Sequence, residues 1–600
     1  MTSVPPEDLQ ATYVATLVDE WARGGVSHAV VCPGSRSTPL AVALAAHRAI
    51  RVLVRLDERS ASFTALGIGL ASGRPALLVT TSGTAAAEVH AAVVEADLAR
   101  VPLVVLTADR PPELQGFGAP QTIDQTHLYG RSVRWFADPG PADAGSRGTW
   151  RSLAARSVAE AVAGPQGPGP VHLNLAFREP LLGAVSGTDP GRSDGGPWHR
   201  VVRDPGAAPA GAVAAVADTA RRGARGVLVA GAGCGDPAAV VALASALGWP
   251  LLADPRSGAR TDDPVVIGGA DLLARVPIVR SALAPDVVVH LGAPWVSKPL
   301  GQWLAARAAD GADVLAVDPC WRWVDPDRAV STVVPADPEA FCRAVVKAVG
   351  PADGPAGGSE GGAWLASWRA AEAAVRQVLD PRTVDGPGAV TEPGLAAHLV
   401  RSLPGDATLV VSSSMPVRDV ETFGAPRAHP PRVLANRGAN GIDGVVSTAL
   451  GVAAGSPPGR ATVALVGDLA FLHDVSSLVR PGEDTAPCTV VVADNGGGGI
   501  FSFLPQATAL DDVTFETLFG TPQLPDVADV AAGFGVPVDD VGDAAGLHEA
   551  LARRVGEGLS VIRVRLPSRE DNLALHRQLE GDVATAVDAV LRGTAEGRDG

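Results

Sequence analysis

Cysteine is scarce in this chain and lysine nearly absent. Five cysteines (Cys32, Cys234, Cys320, Cys342 and Cys488) are spread over 600 residues with no C-x-x-C spacing. That pattern excludes a disulfide framework or a structural zinc site and suits small buried thiols in a reducing compartment. Lys298 and Lys347 are the only lysines, in a chain otherwise rich in Ala, Gly, Val, Arg and Asp. Such a bias looks like GC-rich coding rather than function. No apolar run approaches the ~18 residues of a membrane span. The opening MTSVPPEDLQ lacks a basic-then-apolar leader, so a cytoplasmic protein is expected. The net charge of −16 argues against nucleic acid or an anionic membrane as main partner. An anionic substrate would need local arginines to draw it in against that field.

With 46% hydrophobic and 19% charged residues, the chain can bury large cores. Its length suits three or four domains at ~150 residues each. Apolar runs recur about every 25 residues in the first part, at 28–32, 51–56, 75–81 and 102–108, with alanine-rich helical segments between them. Strand–helix alternation with continuous apolar strands predicts a parallel sheet covered on both faces. A Gly/Ser/Asp/Pro stretch at 182–210 closes this block. A second block has strands within 226–235, 286–292 and 313–319, and a third at 407–412, 462–466, 488–493 and 560–565. Between them, GPADGPAGGSEGG (350–362) reads as a flexible connector. The expected division is 1–185, 205–350, a linker at 351–389, and 390–595. No short tandem repeat is visible.

Ligands on such sheets bind where strands end at their carboxyl edges. The residues following the first four runs are Pro33-Gly34-Ser35-Arg36-Ser37, Asp57-Glu58-Arg59-Ser60, Ser82-Gly83-Thr84 and Asp109-Arg110-Pro111, with Gln121 in a further polar loop. One such loop is ordinarily a helix cap; a converging set is a candidate site. Glu58, between an apolar strand and a helical run, is either a helix-start carboxylate pairing with Arg59 or a desolvated functional acid. In the third block one strand empties into Gly467-Asp468-Leu469 and another into Asp494-Asn495-Gly496-Gly497. Oxygen atoms of an acid and an amide on one sheet edge can hold Mg²⁺, which recruits phosphate. The same residues are also ordinary turn punctuation. In the middle block Gly231-Ala232-Gly233-Cys234-Gly235 is GxGxG rather than GxGxxG, a weak sign of dinucleotide binding.

Taken together, GSRSTPL, LDERSASFTALG, TTSGTA, LTADRPPEL, QTIDQT, SSSMPVRDVE, NRGANGIDGVVSTALG, VGDLAFLHD and NGGGGIFSFLP resemble one family. It is the 2-succinyl-5-enolpyruvyl-6-hydroxy-3-cyclohexene-1-carboxylate synthases, thiamine-diphosphate enzymes of menaquinone biosynthesis. The likeness covers both outer blocks and, weakly, the middle one. Leu469 and Asp494 depart from the wider Gly-Asp-Gly … Asn-Asn signature, and Pro120 and Pro299 stand where relatives often carry Asn and a second cation.

The resemblance implies three doubly wound α/β domains: one for the aminopyrimidine, a Rossmann-like middle domain without bound NAD or FAD, and one for the diphosphate. It implies decarboxylation of 2-oxoglutarate on thiamine diphosphate and conjugate addition of the four-carbon carbanion to isochorismate. By the same resemblance Glu58 contacts the pyrimidine N1′, and Ser82, Gly83, Ser414, Ile442, Leu469 and Ile500 line the cofactor. Asp468, Asn495 and the Gly497 carbonyl bind Mg²⁺, for which Mn²⁺ can stand in. Ser35, Arg36, Arg110, Gln121, Lys298, Ser414, Arg418, Arg437 and Phe501 face the substrates, and Gln121 lies near the reacting carbons. The active sites are implied to lie between subunits of a homodimer or homotetramer. The alternatives are another thiamine-diphosphate enzyme, of the acetolactate synthase or oxalyl-CoA decarboxylase type, and a dinucleotide-binding oxidoreductase.

Overall fold

The computed structural model describes residues 5–202, 206–293, 296–320, 323–350, 358–383, 388–479 and 486–596. They form three six-stranded sheets in which every pairing is parallel. The first contains β1 (His28–Val31), β2 (Arg51–Val54), β3 (Ala76–Thr80), β4 (Leu103–Asp109), β5 (Trp135–Ala137) and β6 (Pro170–Ala176), in the order β2-β1-β3-β4-β6-β5. The second contains β7 (Gly226–Ala230), β8 (Leu251–Ala253), β9 (Val266–Ile267), β10 (Val287–Leu291), β11 (Asp313–Val317) and β12 (Thr332–Val334), in the order β12-β11-β10-β7-β8-β9. The third contains β13 (Thr408–Val411), β14 (Arg432–Leu434), β15 (Thr462–Gly467), β16 (Cys488–Asp494), β17 (Val538–Val541) and β18 (Leu559–Arg565), in the order β14-β13-β15-β16-β18-β17.

The expected doubly wound α/β architecture is therefore present three times. Central strands are apolar along their whole length because both faces are covered. Leu77, Val79, Val104 and Leu106 enter one core while Leu78 and Val105 enter the core on the opposite face. Leu409, Val463 and Val491 separate from Val410, Ala464 and Val490 in the same way. That is the two-residue period of a strand.

The outer sheets share one strand order, a repetition the sequence does not display. In both, the chain steps to one side after its first strand and then to the other, so crevices open between β1 and β3 and between β13 and β15. The middle sheet has the order of dinucleotide-binding folds. In its glycine loop a Cβ at Gly231 would lie 1.8 Å from the Ala293 carbonyl oxygen, whereas one at Gly233 would meet nothing within 4 Å. The helix that follows, Pro237–Leu247, is capped by its own carboxylate, Asp236.

The outer units meet through the helices Glu58–Ser72 and Val445–Gly455. A Cβ at Gly67 would fall 2.1 Å from the Thr448 carbonyl oxygen, and one at Gly451 would fall 2.0 Å from that of Thr64. The backbones thus touch, and only glycine permits it. One expectation changes. Within the stretch read as a linker, residues 351–357 and 384–387 lie outside the described residues, but Gly358–Thr383 is a 26-residue helix. Trp364, Trp368, Val375 and Leu379 bury its apolar stripe in the middle core, and the Trp364 indole donates to the Gly226 carbonyl at 2.9 Å. The glycines that open it mask a helical pattern that begins only at Trp364.

Candidate active site

At the crevice of the first sheet the loops interlock by backbone contacts. Ser82, fully buried, donates its hydroxyl to the Gln121 carbonyl at 3.0 Å, and the Gln121 amide donates to the Ser82 carbonyl at 3.1 Å. Arg110 donates to the Ser82 hydroxyl and, at 3.0 Å, to the Pro120 carbonyl. Gly83 N–H donates to Gln125 at 3.0 Å. Gln121 is held at φ +56°, and Gly83 at +87°. A non-glycine residue kept left-handed marks a place where the surroundings over-determine the backbone. Arg36 is buried, donating to the Phe177 carbonyl at 2.8 Å and to Glu179 at 3.1 Å. Burial, then the Arg36 charge, lowers the Arg110 pKa. Ser35 is exposed at its rim.

Glu58 opens its helix, behind the N-cap Asp57, which accepts from Ser60 N–H at 3.1 Å. It is half-buried, and burial followed by the nearby Asp57 and Glu88 carboxylates raises its pKa. Among the described residues it has no ion-pair partner. The pairing with Arg59 does not form: Arg59 reaches the His473 carbonyl at 2.7 Å instead.

The third sheet supplies an arginine cluster and an oxygen-lined edge. Ser414, after β13, has φ +72° and ψ −137°, a glycine-like conformation, and its carbonyl accepts from Arg418. Arg437 makes no hydrogen bond or ion pair among the described residues. Burial, then Arg256 and Arg418, pushes its pKa down to about 10. Its loop is clamped by Glu95 of the first unit, which accepts from Gly438 N–H at 2.7 Å and Ala439 N–H at 2.6 Å. Neither Glu95 nor Arg256 was expected from the sequence. Arg256, held by Asp254 at 2.9 Å, follows β8 in an Asp-Pro-Arg turn, so the strand-end rule used elsewhere would have found it. Glu95 sits in a helix interior and gives no such signal. Lys298 is exposed at the start of the helix Lys298–Ala309. The Ser297 cap of that helix donates to Asp271, which also takes the Thr422 hydroxyl at 3.1 Å.

Asp468 begins the helix Asp468–His473 and accepts from Leu469 N–H at 2.8 Å. Burial, then Asp494 and Glu392, pushes its pKa up to about 7. The Asn495 amide donates to Glu392 at 2.7 Å, while its Oδ1 is buried with no partner. Asp494 is turned away to Arg563, at 2.7 Å. Gly497, at φ +140°, packs where a Cβ would meet the Gly520 carbonyl oxygen at 2.1 Å. Ile500 and Phe501 lie in the short helix Gly499–Phe503, Phe501 against Phe519 at 5.3 Å, and half-buried Ile442 sits in the bend before Val445. One carboxylate, one orphaned amide oxygen and nearby carbonyls are a partial oxygen set that suits a cation sharing phosphate and water ligands. No group of three His, Cys, Asp or Glu able to hold a metal occurs among the described residues.

Residues 11–128 match "Thiamine pyrophosphate enzyme, N-terminal TPP binding domain", 207–411 match "Middle domain of thiamine pyrophosphate", and 419–564 match "Thiamine pyrophosphate enzyme, C-terminal TPP binding domain". The chain is 42% identical over 586 residues to a 2-succinyl-5-enolpyruvyl-6-hydroxy-3-cyclohexene-1-carboxylate synthase of Chloroflexus aurantiacus, covering 96% of each. Proteins of the same name from Myxococcus xanthus (41%, 97% and 98% covered) and Thermobifida fusca (44%, 95% and 98% covered) match similarly. The chain belongs to this synthase family. The relatives' shared name favours it over the acetolactate synthase or oxalyl-CoA decarboxylase alternative. Its first matched domain contains Glu58, Ser82 and Gln121, and its last contains Arg437, Asp468 and Asn495. The middle match, running to residue 411, takes in the long helix that packs on the middle core.

Proposed function

We propose that this chain is a thiamine-diphosphate-dependent transferase that decarboxylates 2-oxoglutarate and joins the remaining four-carbon unit to isochorismate, giving 2-succinyl-5-enolpyruvyl-6-hydroxy-3-cyclohexene-1-carboxylate and CO2. The observation that carries the substrate assignment is Arg437, half-buried, close enough to Arg256 and Arg418 for their charges to lower its pKa, and without a carboxylate partner of its own among the described residues. Cations so grouped and partly desolvated call for anions, and both substrates are dicarboxylates. Arg36, though paired with Glu179, and Arg110 add positive charge at the crevice of the first sheet. Thiamine diphosphate, when bound, supplies a carbon nucleophile whose ring can hold the electron pair left behind when CO2 departs. Glu58 holds a proton toward the aminopyrimidine ring nitrogen, a task suited to a carboxyl whose pKa is raised by burial. Asp468, Asn495 Oδ1 and the Gly497 carbonyl hold Mg²⁺, with Leu469, Ile442 and Ile500 shaping the wall. Ser35, Gln121, Ser414, Lys298 and Phe501 complete the substrate side, Gln121 donating to an oxygen near the reacting carbons.

We further infer a homodimer, alone or paired into a tetramer, with sites shared between subunits. Leu56, Phe117 and Leu524 are 73%, 83% and 101% exposed, apolar surface that a second copy would cover. Among the described residues no helix is long and apolar enough to cross a membrane. A cytoplasmic site of action accords with five scattered cysteines, four of them buried. The test is product formation from 2-oxoglutarate, isochorismate, Mg²⁺ and thiamine diphosphate with each omitted in turn. Product formed without isochorismate, or none from the full mixture, overturns the assignment.

A further inference from the structure

Asn495 has a second face. Its Nδ2 donates to Oε1 of Glu392 at 2.7 Å, and Glu392 is 5% exposed at the start of the helix Glu392–Ser402. The two ends of a primary amide are nearly equal in shape and opposite in hydrogen-bonding character. Left alone, such a group can present either end to a cation, and only the oxygen binds one. An ionised carboxylate accepts and cannot donate, so it draws the Nδ2 end to itself. The Oδ1 end is then left buried and unpartnered.

We propose that Glu392 is a positioning residue that fixes the Asn495 amide with its oxygen toward the divalent cation, an inference that rests on the reading of Asp468 and Asn495 as metal ligands. Side chains from other elements surround Glu392. Asp419, 3% exposed, lies beside it and 3.5 Å from Nε2 of His576. Asn572, 4% exposed, comes from the same C-terminal helix as His576, Arg569–Glu596. A cavity of about 200 Å³ lined by Glu392, Asn572 and Leu575 adjoins the group. Truncating Glu392 would open that space to water, which donates and accepts equally and would leave the amide unoriented. Partners one shell out from a metal typically contribute 10–100-fold in affinity.

The test is binding of thiamine diphosphate as a function of Mg²⁺, followed by tryptophan fluorescence or calorimetry without substrates. Melting of the apo-proteins runs alongside as the control for folding. Glu392→Ala should raise the Mg²⁺ concentration for half-saturation about 10–100-fold. Glu392→Gln can donate as well as accept, so it orients the Asn495 amide less strictly and should fall between Glu392→Ala and the parent protein. A reversed pair makes the test independent of truncation. Asn495→Asp alone sets two carboxylates face to face and weakens binding. Adding Glu392→Gln, whose amide now donates to Asp, should recover at least tenfold of the loss. Half-saturation of Glu392→Ala within twofold of the parent, or no recovery in the reversed pair, overturns the positioning role. If the unaltered protein shows no Mg²⁺-dependent cofactor binding, the metal-ligand reading has failed and the positioning role falls with it.

Discussion

Glu58 and Arg59 are neighbours in sequence with separate engagements: Arg59 is committed to the His473 carbonyl, and Glu58 is left beside Asp57 and Glu88 with no cation against it among the described residues. A carboxyl so placed is poised to share a proton with a ligand nitrogen. Glu58→Gln should therefore leave cofactor affinity nearly unchanged while slowing proton exchange at thiamine C2 by about a hundredfold or more. Exchange measured by NMR at the parental rate would remove Glu58 from that role. At this scale much of the candidate site is legible in the sequence, because polar residues at apolar strand ends stand out. Arg36, Arg110, Gln121, Ser82 and Gly83 share one crevice, as that reasoning implies. Glu95 could not be found in this way, since what distinguishes it is a loop more than 340 residues away that docks on its helix.

Among the elements, the join between the outer units is a buried carboxylate network as much as an apolar one. Asp474, fully buried, accepts from Ser447 N–H at 2.6 Å and the Ser447 hydroxyl at 2.9 Å, and the Ser60 hydroxyl reaches it at 3.4 Å. Burial pushes its pKa from 3.8 up to about 6. A raised carboxyl pKa means the folded state holds the proton more tightly. Its stabilising contribution is complete below the unfolded pKa and is lost as pH rises through about 6. Asp474→Asn should thus gain on the unaltered protein between pH 5 and 7.5, by roughly 1–2 kcal/mol in urea unfolding. A gap that does not move with pH would contradict this. The strands most easily read are the long central ones such as β4 and β16, where unbroken apolar runs report burial on both faces. Edge strands are less visible: β17 reads Val-Asp-Asp-Val and β9 is two residues long, too short and too polar to show a period.

For the molecule as a whole, the decisive question is how many chains make one site. Glu58→Gln and Asp468→Ala are each expected to be inactive. If the site is shared between subunits, mixing the two after reversible dissociation should restore about a quarter to a half of the activity per dimer formed. That follows because each heterodimer carries one site intact at both positions. No recovery despite heterodimers detected by mass would place both halves within one chain. The division into three sheets was apparent from the spacing of strands, whereas the shared order of the outer two was not. Strand order depends on which runs pair across the sheet, and a single chain's pattern of apolar residues does not encode that.

The glycine crossing of Glu58–Ser72 and Val445–Gly455 has a consequence for anyone who would make this protein hardier. Replacing helical glycines with alanine is a routine route to thermostability, gaining about 0.5–1 kcal/mol each. Gly581, in the C-terminal helix with nothing within 4 Å of the place a Cβ would take, is a fair target and should raise the melting temperature. The same change at Gly451 would drive a methyl into the Thr64 carbonyl oxygen at 2.0 Å and should lower it, along with cofactor retention. Sequence design that scores helices one at a time would rank the two substitutions alike. Here the inventory of permissible mutations is set by the neighbour rather than by the helix, and the glycine that looks most wasteful is the one to leave alone.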